Sequence, residues 1–360
     1  MWQPGTCPSV SPIRNNSSFS ARLLAWYRSY GRHELPWQGT RDAYRIWVAE
    51  IMLQQTQVAA VIPYYQRFLE RFPDIAALAS AAQDEVLRLW SGLGYYSRAR
   101  NLQRAAQQVA ERHGGVFPRA LEEIEALPGI GRSTAAAIAA FAYGTRAAIM
   151  DGNVKRVLAR HFAVPGFPGE KRVERHLWQM AEAQLPLRDI GPYTQALMDL
   201  GATLCTRAKP ACTRCPLAQS CKALALARVR DFPAPRPARA RPTRATHMLL
   251  LIRNGEVLLE KRPPSGIWGG LWSLPEIEDA SRARAHCRAR YGCSIAAPQA
   301  LEPLAHGFTH FRLQIQPLLC PVRKLGLAAR ETGQIWLGLE QAHATAIPVP
   351  VRKLIERLLG

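Results

Sequence analysis

The stretch that decides the fold reads LPGIGRSTA, residues 127–135. It contains a Pro-Gly-x-Gly turn and runs into an alanine-rich segment of helical character. Gly129 and Gly131 let the backbone come close to a ligand, and the amides at the next helix start, near Arg132 and Ser133, can hold a phosphate without reading a base. The pattern predicts a helix-hairpin-helix, and an ordinary glycine turn between helices is the structural alternative.

The chain around this hairpin is predicted to be helical from about Phe19 to Val229. Apolar residues recur at helical spacing, alanine and leucine are frequent, and β-branched runs are few. The clearest segments are Ala43–Val61, Asp84–Leu89, Ala99–Arg112 and Arg132–Tyr143. Gly144 follows the last of them as a predicted C-terminal stop.

The charge of the chain points to a polyanionic partner. Its 360 residues carry 47 Lys and Arg against 27 Asp and Glu, a formal net charge of +20. A merely arginine-rich protein is the alternative, and a membrane surface is disfavoured because no Lys/Arg-rich amphipathic helix stands out. No segment is long enough to span a membrane, and no secretory signal is expected.

A change of composition divides the chain. Prolines and arginines crowd residues 230–245, which predicts a semi-rigid linker. Beyond it, HMLLLIRNGEVLLEKR (247–262) predicts a hairpin around an Asn-Gly turn, and FRLQIQPLLCPV (311–322) predicts a further strand. We expect a mobile tail over 1–18, an all-α domain over 19–229, the linker, and an α+β domain over 246–360.

Two carboxylates are candidates for chemistry. Asp151 opens the helical stretch MDGNVKRVLAR (150–160), where it can act as an N-cap and where the helix dipole favours its anionic form. Glu50 lies inside the apolar run WVAEIMLQQTQV (47–58), so desolvation should raise its pKa. A purely structural cap and a solvated helix face are the respective alternatives.

Together these carboxylates suit the cleavage of an N-glycoside. That reaction requires a proton donor for the leaving base and a second group that stabilises an oxocarbenium-like sugar. Two carboxylates whose surroundings push their pKa values apart meet both requirements. We therefore predict Glu50 as the acid and Asp151 as the anion.

A cysteine loop predicts a metal centre. Cys205, Cys212, Cys215 and Cys221 follow the spacing C-x6-C-x2-C-x5-C. Structural zinc sites more often use two C-x2-C pairs, so this spacing favours an iron–sulfur cluster in a reducing compartment. Arg207 lies in the loop, which suggests that the metal braces a phosphate-binding surface.

Several of these segments carry a family resemblance. EIMLQQTQV (50–58), GLGYYSRARNL (92–102), LPGIGRSTA, DGNVKRVLAR (151–160) and the cysteine loop occur in the order of the helix-hairpin-helix DNA glycosylases. The set resembles the MutY family from about Ala21 through the C-terminal domain. The resemblance implies a helical-barrel subdomain and a subdomain that holds a [4Fe-4S] cluster, with DNA in the groove between them.

The resemblance also implies roles for individual residues. Glu50 matches the acid that protonates adenine N7, and Asp151 matches the carboxylate that stabilises the cationic sugar. Residues implied to lie at the DNA gap, the opposing base or the adenine pocket are Gln55, Leu93, Tyr95 and Trp37. The implied substrate is double-stranded DNA with adenine opposite 8-oxoguanine or guanine, bound by a monomer in the bacterial cytoplasm at the nucleoid.

One departure separates this chain from endonuclease III-like relatives. Those enzymes carry in the hairpin motif a lysine that forms the Schiff base for strand cleavage, where this chain has Ser133. A serine cannot form that adduct, so we expect a monofunctional enzyme. Lys155 lies one helical turn after Asp151. We expect it to contact DNA, where its amine could trap an opened sugar adventitiously.

The C-terminal segment RPPSGIWGGLWSLPE (262–276) resembles the MutT-like (Nudix) domain of the same family. The metal-binding helix of that domain would correspond to SRARAHCRARYGC (281–293), where arginine and alanine replace carboxylates. We therefore expect a domain without hydrolase activity that reads 8-oxoguanine. Phe308, Thr309 and His310 stand where the family has a Phe-Ser-His loop, so the hydroxyl is kept and a methyl is added.

Three other functions compete with this interpretation. The first is a bifunctional glycosylase for oxidised pyrimidines of the endonuclease III type, which Ser133 and the C-terminal domain disfavour. The second is a non-catalytic DNA-binding iron–sulfur protein, which leaves Glu50 and Asp151 without a role. The third is a Nudix hydrolase, which the missing carboxylates oppose.

Overall fold

The computed structural model of this chain describes residues 18–237, 240–326 and 333–360. The predicted N-terminal tail (1–18) lies outside these ranges except for Ser18, whose hydroxyl accepts a hydrogen bond from the amide of Ala21 and caps the first helix. Within the described ranges, no helix is long and apolar enough to cross a membrane.

The first two thirds of the chain fold into helices, as the sequence predicted. The α-helices are α1 (Phe19–Tyr30), α2 (Ala43–Leu53), α3 (Val58–Arg71), α4 (Ile75–Ser80), α5 (Gln83–Trp90), α6 (Ser97–Arg112), α7 (Leu121–Glu125), α8 (Arg132–Tyr143), α9 (Gly152–His161), α10 (Lys171–Ala183), α11 (Ile190–Asp199) and α12 (Lys222–Ala225). A π-helical turn covers Leu200–Leu204, and 3₁₀ turns cover Cys212–Arg214, Ala218–Ser220 and Val229–Asp231.

One predicted helix is wrong in its extent. The sequence predicted a continuous helix over Ala43–Val61, but the chain leaves the helical conformation after Leu53 and resumes it at Val58. Gln55 adopts a left-handed φ of 58°, which a right-handed helix cannot contain. By contrast, α8 has its predicted bounds and ends at Gly144, whose φ is 71°.

The described chain divides into two compact units. The first holds the chain up to Ile46, Arg119–Glu125 and Gly131–Pro237, and the second holds Trp47–Pro118, Ala126–Ile130 and the chain beyond Pro237. The core of the first unit includes buried side chains from α1 and α8–α11, among them Leu158, Leu177 and Leu197, and from the connecting segment Ala147–Met150.

The C-terminal part is a mixed sheet with helices, so the predicted α+β class is confirmed. Its strands are β1 (Thr243–Arg253), β2 (Glu256–Lys261), β3 (Trp272–Ser273), β4 (Glu276–Ile277), β5 (Cys293–Ile295), β6 (Gln299–Ala300), β7 (Leu304–Gly307), β8 (Arg312–Leu325) and β9 (Gln334–Gly338). Its α-helices are α13 (Ala283–Tyr291), α14 (Leu339–Ala344) and α15 (Val349–Leu359).

The sheet has the strand order β3-β2-β1-β8-β5, with β4 on β1, β6 and β7 on β8, and β9 on β2. The predicted hairpin is confirmed, since Ile252 pairs with Val257 and the turn has positive φ at Asn254 (48°) and Gly255 (77°). The strand predicted at 311–322 is β8, which pairs in parallel with β1.

The domain boundaries stay a prediction. β1 begins at Thr243, inside the segment that the sequence predicted as a linker (230–245). The start of that segment is attached to the first unit, because Phe232 is buried and its carbonyl accepts a hydrogen bond from Arg160 Nε at 2.9 Å.

Candidate active site

Glu50 lies in the last turn of α2. Its neighbours Ala49, Ile51 and Met52 are buried, while the Glu50 side chain is half-buried. An otherwise apolar helix end therefore presents one carboxyl group, as the sequence predicted.

Asp151 is the N-cap of α9. Its Oδ1 accepts a hydrogen bond from the Val154 amide at 2.7 Å, and its Oδ2 accepts one from Asn153 Nδ2 at 3.2 Å. Burial raises the pKa of Asp151, although these hydrogen bonds and the charge of Arg156 act in the opposite direction. The predicted cap is confirmed. Desolvation is the largest effect on this carboxyl group, and it opposes the anionic form that the sequence predicted for Asp151.

A chain of polar contacts joins Asp151 to the cysteine loop. Asn153 Oδ1 accepts a hydrogen bond from Arg156 Nη2 at 2.8 Å, and Arg156 Nε donates to the Cys205 carbonyl at 2.7 Å. The carboxylate, the amide, the guanidinium and the loop backbone are therefore held as one network within the first unit.

The hairpin residues have separate partners. A side chain at Gly129 (φ 80°) would place its Cβ 2.8 Å from Asn101 Cβ, so the turn requires glycine. Gly131 is the N-cap of α8 and has no side chain to cap it.

The side chains of the first two residues of α8 have partners within the first unit. Arg132 forms an ion pair with Glu182 and lies 3.9 Å from the ring centre of Trp178. Ser133 Oγ accepts a hydrogen bond from the Met150 amide at 2.8 Å.

Lys155 was predicted to contact DNA and Trp37 to line the adenine pocket, and neither side chain is freely exposed. Lys155 Nζ lies 2.7 Å from Glu174 Oε1, so its amine is ion-paired. Trp37, predicted on the adenine side, is buried at 7% exposure. Both belong to the first unit with Asp151, while Glu50 belongs to the second.

Two loops of the second unit share a cavity of about 240 Å³. Gln55 follows α2, Tyr95 precedes α6, and both line this cavity together with Gly129. Leu93, in the same loop as Tyr95, is 8% exposed. The structure thus brings together Gly129, which the sequence pattern assigned to the hairpin, with Gln55 and Tyr95, which the resemblance assigned to the DNA gap or the opposing base.

A larger cavity of about 840 Å³ is lined by the same two loops and also by the loop of the C-terminal part that contains Thr309. Gln55, Tyr95, Phe308, Thr309 and His310 all line it. The hydroxyl oxygens of Tyr95 and Thr309 are 3.0 Å apart and hydrogen-bonded. The predicted reading loop and a predicted DNA-gap residue therefore form one surface.

Sequence reasoning missed three of the residues that shape these surfaces. Trp268 packs against Phe308 with ring centres 5.5 Å apart, and Arg244 lies 4.8 Å from the ring centre of Phe311. Arg98 is buried in α6. Its position one turn before Leu102, on the apolar face of an amphipathic helix, was the available signal.

The four cysteines of the loop are half-buried and free. Burial, with smaller contributions from the negative charge of the neighbouring cysteine thiolates, raises the pKa of Cys215 to about 11. Across the described ranges, no three His, Cys, Asp or Glu side chains form a group that could hold a metal ion. A cubane cluster has a different requirement, because each thiolate binds a separate iron atom.

The surroundings of the thiols suit an anionic cluster. Arg160 Nη1 lies 3.4 Å from Cys205 Sγ, and the same guanidinium donates to the carbonyls of Thr206 and Arg207 at 2.7 and 3.1 Å. The side chain of Arg207 is exposed. A thiolate set next to a buried cation therefore fits the donor chemistry of an iron–sulfur site.

Comparison with known proteins identifies two domains. Residues 48–183 match the HhH-GPD superfamily of base excision DNA repair proteins, and residues 247–357 match the NUDIX domain. In solved structures, the chain is similar to a thermostable thymine-DNA glycosylase, with a TM-score of 0.53 and 30% identity over 58% of this chain and 95% of that one. An endonuclease III–DNA complex, at 22% identity and a TM-score of 0.50, shares the fold over 58% of this chain and 94% of its own.

Relatives that match nearly the whole of this chain are adenine DNA glycosylases. An adenine DNA glycosylase of Buchnera aphidicola subsp. Acyrthosiphon pisum is 35% identical over 94% of this chain and 97% of its own length. An adenine DNA glycosylase of Mus musculus is 33% identical over 96% of this chain and 80% of its own. The chain is therefore an N-glycosylase of base excision repair, and it belongs to the adenine DNA glycosylase (MutY) family.

Proposed function

We propose that this enzyme flips adenine out of a mispair with 8-oxoguanine or guanine and hydrolyses its N-glycosidic bond. The observation that carries the proposal is the hydrogen bond between Tyr95 and Thr309. It places the C-terminal loop at the same cavity as the loop predicted to open the duplex. An adenine glycosylase needs this arrangement, since adenine is a normal base and its partner must be read.

Glu50 donates the proton in this proposal. The family resemblance directs that proton to adenine N7, which turns the base into a neutral leaving group. The neighbours Ile51 and Met52 are buried, so the helix end that carries the Glu50 carboxyl group is otherwise apolar.

Asp151 stabilises the cationic sugar. Its two oxygens are already held by Val154 and Asn153, so the carboxylate needs no rearrangement when the charge develops. Burial disfavours its negative charge in the free protein. A developing cation therefore gains more from this carboxylate than from one that water screens.

The reading of 8-oxoguanine rests on the Thr309 hydroxyl. Oxidation converts N7 of guanine from an acceptor into an N–H donor. When Thr309 donates its proton to Tyr95, a lone pair of its oxygen remains to accept from that N–H. Phe308, stacked on Phe311 at 4.5 Å, supports the loop from behind.

The cysteine loop holds a [4Fe-4S] cluster in this proposal, through Cys205, Cys212, Cys215 and Cys221. The cluster supplies a rigid core for the loop, and Arg207, Gly131 and the first turn of α8 supply phosphate contacts. In this proposal the enzyme acts as a monomer on double-stranded DNA at the bacterial nucleoid, in the cytoplasm.

A glycosylase assay on three duplexes tests the proposal. Single-turnover reactions should release adenine opposite 8-oxoguanine fastest, adenine opposite guanine more slowly, and no thymine glycol. Glu50→Gln should bind the first duplex and release nothing. Release of thymine glycol with strand nicking would instead support the bifunctional alternative.

A further inference from the structure

Arg98 is a buried cation in the first turn of α6, with 7% of the residue exposed. Burial lowers its pKa to about 10, so the guanidinium stays charged at neutral pH. Among the ion pairs recorded for the described residues, none involves Arg98. Its charge is instead compensated by backbone carbonyls, a hydroxyl and two aromatic rings.

Three of those carbonyls lie where α2 ends. Arg98 Nη1 donates to the carbonyls of Ile51, Met52 and Gln54 at 2.9, 2.8 and 2.6 Å. The last carbonyls of a helix lack partners inside it and carry the negative end of its dipole. Arg98 therefore caps the helix whose last turn presents Glu50, which immediately precedes Ile51.

The second amino group of Arg98 reaches two loops. Nη2 donates to Thr56 Oγ1 at 3.1 Å, and to the carbonyls of Leu93 and Gly94 at 3.3 Å each. Gln55 stands between Gln54 and Thr56, and Tyr95 follows Gly94. Both adopt left-handed backbone conformations, with φ of 58° and 47°.

Such conformations are rare for residues with a side chain and persist only where the surroundings impose them. Contacts of Arg98 bracket Gln55 on both sides and reach Tyr95 from the preceding residue, and its guanidinium lies 5.6 Å from the Tyr95 ring centre. One side chain thus holds both loop tips in an otherwise disfavoured geometry.

We infer that Arg98 is a positioning residue for duplex opening: it locks the loops of Gln55 and Tyr95 to each other and to the end of the Glu50 helix. The inference rests on the proposed function. Arg98 touches neither the adenine nor the sugar in this scheme. Its loss should therefore weaken excision most when adenine must be pulled from a stacked duplex, and least when adenine is already unstacked.

The test compares Arg98→Met and Arg98→Lys with Arg104→Met, which removes an exposed arginine from the same helix. Each is assayed under single turnover on two substrates, a fully stacked A:8-oxoguanine duplex and the same sequence with adenine inside a three-nucleotide bubble. Fluorescence of 2-aminopurine placed beside the adenine reports opening without chemistry. Thermal melting and iron content show that each variant is folded.

The single-turnover excision rate of Arg98→Met on the duplex should fall about 100-fold, which is the loss expected when a group that positions the substrate is displaced by about 1 Å. On the bubble, the same variant should recover at least about tenfold of that rate. The fluorescence rise should be reduced in the same variant. Arg98→Lys keeps the charge but has fewer hydrogen-bond donors, so its excision rate on the duplex should lie between those of Arg98→Met and wild type. If Arg98→Met does not fold, the rates of Arg98→Lys on the two substrates test the inference instead.

Equal losses on both substrates, or rates for both Arg98 variants like those of Arg104→Met, would overturn the inference. Glu50→Gln should be inactive on both substrates. A wild type that releases no adenine from the duplex would overturn the proposed function itself, which is a separate outcome.

Discussion

The hydroxyl of Ser133 accepts a hydrogen bond from the backbone amide of Met150, with the two atoms 2.8 Å apart. This bond joins the first turn of α8 to the residue before Asp151. The position that carries a Schiff-base lysine in endonuclease III-like enzymes therefore serves here as a backbone support for the carboxylate.

Ser133→Lys should exchange that support for a new activity. A lysine cannot accept from the buried Met150 amide, so the variant should lose about 1–3 kcal/mol of unfolding free energy. Its amine can form a Schiff base with the opened sugar, so strand cleavage without alkali and a borohydride-trapped complex are expected. Wild type and Ser133→Ala should leave the abasic strand intact, and nicking by either would contradict the assignment.

Asp151→Asn should stabilise the fold and remove the activity. Because burial raises the pKa of Asp151 above 3.8, the folded protein binds more protons than the unfolded chain as the pH rises past that value. The free energy of unfolding therefore falls with rising pH through this window, and it stays lowered once the carboxylate ionises. Asparagine keeps an oxygen for the Val154 amide and has no charge.

Thermal melts that start below pH 3.8, the ordinary pKa of the group, and extend to neutral pH should show the advantage of Asp151→Asn growing as the pH rises past 3.8 and then levelling off. Excision should fall roughly 100- to 1,000-fold, since a neutral amide stabilises a cation poorly. Asp74→Asn is the control, because the exposed Asp74 caps α4 through the Ala77 amide in the same way, at 2.8 Å. An advantage independent of pH would refute the burial argument.

Arg156→Met should affect two properties together. It breaks the contacts to both Asn153 and the Cys205 carbonyl, so excision should fall about 10- to 100-fold and iron retention should decline. Asn153→Ala removes only the contact to Asp151 Oδ2 and that to Arg156, so it should lower excision with little loss of iron. Iron assays and single-turnover rates measure the two effects, and unchanged iron in Arg156→Met would show that the link is not needed by the loop.

The purified protein should be brown and contain about four irons per chain. Because burial raises the pKa of Cys215 to about 11, its thiolate forms at neutral pH only when a metal stabilises it. Cys215→Ser should therefore lose iron and the associated absorbance. One zinc and no iron in the wild type would refute the cluster.

Thr309→Val should reduce discrimination between 8-oxoguanine and guanine opposite adenine. Loss of one good base contact corresponds to about 1–3 kcal/mol, or roughly 5- to 150-fold in the ratio of the two dissociation constants. Tyr95→Phe, which removes the partner hydroxyl and keeps that of Thr309, should cost less. The ratio must be taken at one salt concentration, because phosphate contacts make each affinity salt-dependent.

The sequence was most informative where local chemistry decides the structure. The bounds of α8, the cap at Asp151 and the hairpin turn at Asn254 follow from capping and turn preferences of a few neighbouring residues. The division into an all-α part and a following α+β part was predicted from the change in the spacing of apolar residues along the chain.

It was less informative where distant residues decide. At the break after Leu53, the carbonyls of Met52 and Gln54 accept hydrogen bonds from Arg98, more than 40 positions later, and no local pattern separates this break from a continuous helix. The raised pKa of Asp151 reflects burial, which a capping motif does not report. The Tyr95–Thr309 contact joins residues 214 positions apart.

The parallel ladder between β1 and β8 has a consequence for protein synthesis. Thr243 pairs with Arg312, so β1 leaves the ribosome 69 residues before the partner that covers one of its edges. At typical translation speeds of about 5–20 residues per second, that delay is about 3–14 s. Throughout it, the four consecutive residues Met248–Leu251, all fully buried in the folded domain, lack half of their sheet. Nascent chains paused in this interval expose an unpaired apolar strand edge, which favours aggregation and binding by a holding chaperone.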